Sequence, residues 1–314
     1  WWSTPDLQAF MDVAHGNEDI YDSFPGMGLV RRFESLRFWL QSNSKKQARK
    51  NISYHYDLGN DFYKLWLDDT MTYSSALFED NPQQSLEAAQ TAKYASMVDQ
   101  MGVVPGDHVL EIGCGWGGFA EYAAKIRGLK VTCLTISAEQ FNYAKERIEK
   151  ANLSDLVDIK LQDYRDERGV YDGIASIEMF EAVGEKYWPA YFNTLRDRLK
   201  PGKFATLQII TVQDRRWKVY KRGVDFIQKY IFPGGMLPSP TVLREQVEKA
   251  GLAVEKSIEF GKSYDLTLRR WHQRFNEKWD DIAAMGFDER FKRMWNFYLT
   301  SCASTFDSGN CWLL

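Results

Sequence analysis

From about residue 84 onward, short apolar runs alternate with longer amphipathic segments. The apolar runs predict five strands, namely His108 to Ile112, Lys130 to Leu134, Val157 to Leu161, Tyr171 to Ile177 and Lys203 to Thr211. The amphipathic segments predict helices that include Ser85 to Met101, Ala138 to Lys150 and Lys186 to Leu199. Strands that alternate with helices of this length indicate βαβ units around a parallel sheet. Because such crossovers are right-handed, we expect a ligand site at the carboxyl ends of the strands.

The beginning of the chain is less regular. Apolar residues recur at near-helical spacing within residues 29–40, and a basic run from Lys45 to Lys50 follows. We expect this run to be a solvated connector, with a membrane-facing segment as the alternative. The pattern therefore predicts an N-terminal helical cap and lid at residues 1–83. One domain follows at residues 84–314, with helical insertions at about 214–238 and 263–306.

After Thr211 the alternation breaks. The pattern then predicts a helix from Thr241 to Ala250, a strand from Ala253 to Glu259, and long helices at about 265–285 and 288–305. Doubly wound sheets often carry an antiparallel strand at one edge, whereas this chain ends at residues 311–314. We therefore expect the last strand to be cut short or replaced. An open edge there would favour pairing with a second copy, as in a homodimer.

The segment from Val109 to Gly118 joins an apolar run and an acid, Glu111, to four glycines in close succession. Glycine has no Cβ and adopts positive φ angles readily, so such a loop lets the backbone approach a bound nucleoside closely. A Rossmann-type hydride enzyme would instead carry G-x-G-x-x-G with a phosphate at the helix N-terminus. The spacing E-x-G-x-G-x-G-G resembles the first motif of S-adenosylmethionine-dependent methyltransferases. A purely structural strand–turn–helix is the plain alternative.

Composition narrows the classes of function. A formal net charge of −3 provides no basic excess to neutralise phosphates, which argues against a nucleic-acid partner. The four Cys show no C-x-x-C pair and the four His no ligand spacing, so we expect no metal site and reduced thiols in a cytoplasmic protein. No apolar run approaches the ~20 residues of a membrane-spanning helix. No signal peptide is visible.

Four further segments carry a resemblance to a known family. They are Tyr54 to Tyr63, Met71 to Phe78, Ser176 to Gly184 and Phe232 to Ser239. Together with the glycine loop, they resemble the cyclopropane-fatty-acid synthase family, which includes the mycolic acid cyclopropane synthases. The resemblance runs from about residue 50 to about residue 310. It implies an α/β fold with a Rossmann-like class I methyltransferase sheet, an N-terminal helical cap and helical insertions over an acyl channel.

The resemblance implies methyl transfer to a carbon–carbon double bond of an unsaturated fatty acyl chain, carried by a phospholipid. The reaction passes through a carbocation and gives a cyclopropane fatty acid. Because an olefin has no charge to bind, its position must come from a shaped apolar channel, and aromatic rings would stabilise the cation. The implied cofactor-binding residues are Tyr56, Tyr73, Ser74, Glu111, Gly113, Gly115, Thr135, Ile136, Gln140, Asp163 and Tyr164.

The implied catalytic residues are Glu181, Tyr264, Ser75, Gln208 and Ile210. In the family, a bicarbonate ion serves as the base, and a Cys, a Glu, a His, a backbone amide and a Tyr hold it. This chain has Ser75 at the Cys position and Gln208 at the His position. Both can still donate hydrogen bonds, but neither can carry a positive charge, so anion binding should weaken.

Two products are compatible with that departure. Either bicarbonate binds and a cyclopropane forms, or Glu181 or water takes a different proton and the product is a methyl- or methylene-branched chain. Two further functions are compatible with the sequence, namely a non-catalytic lipid-binding relative and a small-molecule C- or N-methyltransferase.

The segment from Arg215 to Arg222 interleaves cations with aromatic residues. It fits docking onto an anionic bilayer, where each cation contributes about 1 kcal/mol, and a solvated helix face is the alternative. We therefore expect a cytoplasmic protein that associates peripherally with membranes.

Overall fold

The structure is a computed structural model that describes residues 4–17, 43–56, 58–79 and 81–314, with only the backbone given for Ser53, Tyr54 and Tyr56. The helical spacing predicted at residues 29–40 lies outside the described residues. The described α-helices are α1 (Leu7–Gly16), α2 (Lys45–Tyr56), α3 (Asn60–Trp66), α4 (Leu86–Met101), α5 (Gly118–Arg127), α6 (Ala138–Lys150), α7 (Trp188–Arg198), α8 (Asp214–Tyr220), α9 (Pro240–Lys249), α10 (Gly261–Glu277), α11 (Trp279–Ala284) and α12 (Glu289–Asp307). The described strands are β1 (His108–Ile112), β2 (Lys130–Thr135), β3 (Val157–Leu161), β4 (Tyr171–Ile177), β5 (Leu199–Gln208), β6 (Ile210–Val212) and β7 (Cys311–Leu313).

The main sheet has five parallel strands in the order β3-β2-β1-β4-β5, which confirms the α/β fold class. Val109 and Leu110 are consecutive in β1 and lie in cores on opposite faces of the sheet, as the period of a strand requires. Val109 packs with Phe119 of α5, whereas Leu110 packs with Phe192 of α7. Helices therefore cover both faces, and the order of strands reverses beside β1, where such sheets bind their ligands.

A third core lies among helices and is largely aromatic. Helix α10 packs along α12, which confirms the second long helix, whereas the helix predicted at about 265–285 is divided at Lys278 into α10 and α11. Trp66, Trp271 and Trp295 are fully buried there. The ring of Trp66 meets those of Trp271 and Trp295 edge-on, at centroid distances of 5.8 and 6.0 Å, a geometry that aromatic quadrupoles favour.

The strand predicted from Lys203 to Thr211 is wrong in its extent. Strand β5 begins earlier, at Leu199, because Pro201 lies on the edge of the sheet, where a residue without an N–H is tolerated. It ends at Gln208 because the next residue, Ile209, exchanges backbone hydrogen bonds with Leu314 in place of β4. Residues 210–212 then form β6, which pairs antiparallel with β7 in a separate two-stranded sheet.

Two predictions about the flanks are wrong, and the expectation of a shortened final strand is confirmed. Residues 253–259 form no strand, because they are mostly exposed and no described neighbouring strand pairs with them. The final strand is short but present as β7. The basic run from Lys45 to Lys50 belongs to helix α2, whose first residue forms an ion pair with Asp166 of the main domain. It is therefore not a connector.

Candidate active site

One cavity of about 1010 Å³ lies where the sheet meets the helical core. Its lining includes residues that follow or end β1, β2 and β4, among them Gly113, Thr135 and Glu178. It also includes apolar residues of α10 and α12, such as Leu268 and Phe306. The volume is at the upper end of the roughly 300–1,000 Å³ of small-molecule sites. The carboxyl ends of the parallel strands and the aromatic core therefore line one cavity.

The glycine loop brings backbone to the cavity wall. Gly113 has a φ of 85°, and a Cβ at this position would lie 2.6 Å from Cγ of Met179. The N–H groups of Gly113 and Cys114 both donate to the carbonyl oxygen of Leu134, at 2.9 and 3.0 Å, which ties the loop to β2. Neither the backbone angle nor the space admits a side chain at Gly113. The loop thus presents bare backbone to a ligand.

The structure brings together most of the residues that the sequence predicts to bind a cofactor. The predicted residues that line the cavity are Tyr73, Ser74, Glu111, Gly113, Gly115, Thr135, Ile136, Gln140, Asp163 and Tyr164. The side chain of Tyr56 lies outside the described residues. Thr135 Oγ1 donates to Gln140 Oε1 at 3.0 Å, so the end of β2 and the first turn of α6 are held together beside the cavity.

Asp163 is buried at the end of β3, and Arg165 contacts it. The guanidinium donates from Nε to Oδ1 at 2.7 Å and from Nη2 to Oδ2 at 2.6 Å. Although burial raises it, the hydrogen bonds and charge of Arg165 hold the pKa of Asp163 below its usual range. The same guanidinium lies 5.5 Å from the centroid of the Tyr164 ring. Sequence analysis did not identify Arg165, although an arginine two residues after an acid is the signal for such a pair.

A second buried cluster joins the glycine strand to α4. Glu111 is buried in β1, and burial raises its pKa to about 7, although Cys133, Arg147 and Lys93 act in the opposite direction. Lys93 is also buried, and its Nζ donates to Ser74 Oγ. Burial lowers the pKa of Lys93 to about 7, while the charges of Glu178, Asp68 and Glu111 raise it. This lysine escaped sequence analysis because a lysine in an amphipathic helix usually faces water.

Glu178 is the acceptor on which several predicted catalytic residues converge. Its Oε1 accepts from the N–H of Ser75 at 2.8 Å and from Gln208 Nε2 at 2.6 Å. Its Oε2 accepts from the hydroxyl of Tyr264 at 2.6 Å. Burial raises the pKa of Glu178 above its usual value overall, although hydrogen bonds from Tyr264, Ser75 and Gln208 and the charge of Lys93 act in the opposite direction. Sequence analysis did not single out Glu178, although an acid directly after an apolar strand was the available signal.

Ser75 and Gln208 are buried and do not line the cavity. They contact Glu178, which does line it, so they reach the cavity only through that carboxylate. Glu178, Glu181, Ile210 and Tyr264 all contribute to the lining. The catalytic residues predicted from the sequence therefore lie close together. They surround Glu178, which was not among the predicted residues.

Glu181 lies in a short 3₁₀ turn, Phe180–Ala182, that follows β4. Its Oε1 accepts from the N–H of Ile210 at 2.6 Å, whereas its buried Oε2 has no hydrogen-bond partner among the described residues. Burial, and then the charge of Glu178, raise the pKa of Glu181 to about 8. Near neutral pH, this side chain is therefore a carboxylic acid that can donate from Oε2.

Aromatic rings form another part of the cavity wall. His55 stacks on Tyr73 at 5.6 Å and lies 4.2 Å from the ring of Phe232, and all three line the cavity. Burial lowers the pKa of His55 to about 3, so it is neutral. The hydroxyls of Tyr73 and Tyr298 are 2.8 Å apart, which fixes the Tyr73 ring. Neutral π faces of this kind attract a cation.

Two searches of the described residues bear on the site. No group of three or more His, Cys, Asp or Glu side chains in the described ranges is arranged to hold a metal ion. None of the described helices combines the length and the apolar character that crossing a bilayer requires.

Comparison with known proteins was made at the level of family, sequence and structure. The family model "Mycolic acid cyclopropane synthetase" matches residues 43–314. Tuberculostearic acid methyltransferase UfaA1 of Mycobacterium tuberculosis is 42% identical over 98% of this chain and 74% of its own length. Cyclopropane-fatty-acyl-phospholipid synthase of Escherichia coli K12 is 41% identical over 84% of this chain and 66% of its own. The chain thus spans about two thirds to three quarters of these two relatives.

Among solved structures, mycolic acid cyclopropane synthase CmaA1 complexed with SAH and CTAB superposes with a TM-score of 0.78 and 29% identity. The match covers 84% of this chain and 95% of that one.

Proposed function

The chain belongs to the mycolic acid cyclopropane synthetase family, and we propose that it methylates a carbon–carbon double bond of an unsaturated fatty acyl chain. It is an S-adenosylmethionine-dependent methyltransferase of the cyclopropane-fatty-acyl-phospholipid synthase type. The observation that carries the proposal is the shared cavity, in which the bare glycine loop and an aromatic, apolar wall face one space. A methyl donor and an acyl chain can meet there without water between them.

The residues present fit the cofactor. The glycine loop leaves open space at Gly115, where a Cβ would meet nothing within 4 Å, and buried polar groups of Glu111, Gln140 and Asp163 line the cavity around it. When bound, S-adenosylmethionine supplies an electrophilic methyl group on a sulfonium centre. We propose that Gly113 and Gly115 contact its methionine portion, Gln140 its ribose side and Asp163 with Tyr164 its adenine.

The chain's own residues would position and stabilise the reacting acyl group. Leu268 and Phe306 supply an apolar surface for the chain. The Tyr73 ring and the ionised Glu178 would stabilise positive charge as it develops on the former double bond. A cation–π contact contributes about 2 kcal/mol or more when desolvated, and Tyr73 is held in place by Tyr298.

For the product, the branched candidate is the better supported one. The relative that covers most of this chain is named a tuberculostearic acid methyltransferase, although a cyclopropane synthase is nearly as similar. The residues at the altered positions, Ser75 and Gln208, face Glu178 and not the cavity. We propose a methylene branch, because it needs no reductant. A saturated methyl branch would need two further electrons.

The substrate chain is proposed to be part of a phospholipid that the protein reaches at a membrane surface. Segment 216–228 contributes to the cavity lining, and its neighbourhood carries the exposed cations Arg215, Lys218 and Lys229. Val219 and Tyr230 are 50% and 42% exposed beside them. Cations mixed with exposed apolar side chains suit an anionic bilayer surface.

The test is a methyl-transfer assay on vesicles of unsaturated phospholipid. The protein is supplied with S-adenosylmethionine carrying a ¹³C-labelled methyl group, and the lipids are analysed by mass spectrometry and NMR. The proposed function predicts acyl chains that are heavier by one labelled CH₂, with vinylic ¹³CH₂ signals. Vesicles of fully saturated phospholipid are the control, and they should remain unlabelled.

The competing functions give different results in this assay. Labelled cyclopropane signals at high field would show that the product is a cyclopropane and not a methylene branch. Binding of S-adenosylmethionine by calorimetry with no labelled lipid would contradict acyl methylation and favour a small-molecule substrate. Absence of both binding and turnover would favour a lipid-binding relative.

A further inference from the structure

Glu178 accepts the hydrogen bonds that an external anion would need. By resemblance, the residues at positions 75, 208 and 264 would hold a bicarbonate ion, and here all three donate to the Glu178 carboxylate at 2.6 to 2.8 Å. Each carboxylate oxygen is engaged. Hydrogen bonds to an ionised acceptor are roughly twice as strong as neutral ones, so these donors favour Glu178 over solvent.

A bicarbonate ion therefore does not fit the residues present. Its donors are already used, and a second anion beside the buried Glu178 would meet like-charge repulsion. The donors themselves are neutral groups, an amide N–H, a carboxamide and a phenol. The nearby cation, Lys93, directs its Nζ to Ser74 Oγ. The residues present therefore depart from the family resemblance only at the proposed bicarbonate site. The residues predicted to bind the cofactor are not affected.

The backbone of Glu178 supports a role beyond packing. Its φ is 47°, in the left-handed region that non-glycine residues rarely adopt. Such strain persists only where the surroundings fix it, and it clusters at functional sites. A buried charge held on a strained backbone by three donors is a costly arrangement for a purely structural residue.

We propose that the Glu178 carboxylate takes the place of the external anion and is the catalytic proton acceptor of the reaction. The inference rests on the proposed function, because it assumes that a methylated carbocation forms in the cavity. It adds that the chain supplies its own base, so that turnover does not depend on bicarbonate.

The proton-transfer step balances without an added reagent. Methyl addition leaves a cation on the neighbouring carbon, and a 1,2-hydride shift moves the cation to the methyl-bearing carbon. A C–H bond of the new methyl group then breaks, and its electron pair forms the C=CH₂ bond of the methylene branch. The proton passes to an oxygen of Glu178, which becomes a neutral carboxylic acid and later returns the proton to water.

Glu178 suits this task better than Glu181. Glu181 has one N–H donor and an unpartnered buried oxygen, so fewer groups stabilise its ionised form. Glu178 has three donors and the charge of Lys93 to favour its ionised form. Of two like charges in one buried site, one is held protonated, and the donors decide which.

The first experiment compares turnover of the wild-type protein with and without bicarbonate. Vesicles of unsaturated phospholipid and S-adenosylmethionine are assayed in buffer freed of dissolved carbon dioxide, and bicarbonate is then added. The inference predicts that kcat changes by less than about twofold. The Glu178→Gln variant keeps the size of the side chain but cannot accept a proton, so its kcat should fall by roughly 10²-fold or more.

The second experiment uses chemical rescue. Glycine adopts the φ of residue 178 without strain, so the Glu178→Gly protein should fold at least as well as the wild type. It leaves the donors of Ser75, Gln208 and Tyr264 facing an empty space. Formate or bicarbonate should restore turnover of Glu178→Gly in proportion to its concentration. The Glu178→Gln protein is the matched control, because its amide fills the space and should prevent rescue.

The outcomes separate this inference from the proposed function. Labelled methylated lipid that forms only when bicarbonate is present would overturn the inference and leave the proposed function standing. The inference would also be overturned if the Glu178→Gly protein kept the wild-type rate. The same holds if it lost turnover and neither formate nor bicarbonate restored it. A wild-type protein that binds S-adenosylmethionine but labels no lipid would contradict the proposed function itself.

Discussion

Glu178 and Glu181 lie three residues apart, line the cavity and have pKa values raised by burial, and the shift of Glu181 makes stability depend on pH. The pKa of Glu181 is raised from 4.5 to about 8 by burial and by the charge of Glu178. The folded protein therefore binds more protons at this position than the unfolded chain between those two values. The free energy of unfolding must then fall as the pH rises through that window.

We predict that Glu181→Gln removes most of this dependence. The amide cannot ionise, so the loss of stability between pH 5 and pH 9 should shrink by roughly 2–4 kcal/mol relative to the wild type. Urea unfolding at both pH values measures it. Glu139→Gln, a change at an exposed residue of α6, is the control and should leave the difference unchanged. An equal pH dependence in Glu181→Gln and the wild type would show that Glu181 ionises normally.

At the same scale, the sequence predicted several of the residues that line the cavity, but it did not predict the hydrogen bonds among them. Glu181, Tyr264 and the amide of Ile210 could be matched by motif, and they do line the cavity. Glu178 could not, because its importance depends on Gln208 and Tyr264 arriving from β5 and α10, which are distant in the chain. Tertiary convergence of this kind leaves no local pattern.

At the scale of elements, the glycine loop that joins β1 to α5 is tightly constrained at Gly113, both in its backbone angle and in the space around it. We predict that Gly113→Ala lowers the free energy of unfolding by about 1–3 kcal/mol, because φ is 85° and the new Cβ would collide with Met179. Affinity for S-adenosylmethionine should fall at least about tenfold, as the loop shifts to relieve the collision. Thermal unfolding and titration calorimetry measure the two effects.

Gly106 provides the matched control for that substitution. It has a similar φ of 92°, a Cβ there would meet nothing within 4 Å, and it does not line the cavity. Gly106→Ala should therefore cost stability through the backbone alone and leave cofactor affinity unchanged. If both variants lost affinity equally, the effect would be global and the close approach at Gly113 would not explain it.

The strands show which elements a sequence can predict. Runs such as His108 to Ile112 and Tyr171 to Ile177 are strands at the predicted bounds, because central parallel strands need apolar residues on both faces. Residues 253–259 have an apolar content that also suits a strand, yet Val254 is 40% exposed and no described strand lies beside them. A strand exists only with a partner, and the pairing of β6 with β7 joins residues that are about 100 positions apart.

At the scale of the molecule, the cavity joins two cores of different kinds. The parallel sheet supplies a rigid edge that carries the glycine loop, Asp163 and Glu178. The helical core supplies aromatic rings that neither ionise nor compete for a methyl group. Under the proposed function the acyl chain enters this space from a lipid, so the surface beside segment 216–228, which contributes to the cavity lining, decides how the protein meets its substrate.

The last prediction concerns that surface. The substitutions Arg215→Gln, Lys218→Gln and Lys229→Gln remove three exposed cations that lie outside the cavity lining. At about 1 kcal/mol each, together they should weaken binding to anionic vesicles by roughly 10²-fold at low salt, and the difference should shrink as salt is added. Vesicle sedimentation measures the binding. The control replaces Lys145, Lys256 and Arg290 with Gln. These residues are also exposed and outside the cavity lining, and the control changes the net charge by the same amount. If both triple variants bound alike, attraction would depend on total charge, and the segment around α8 would not be the docking surface.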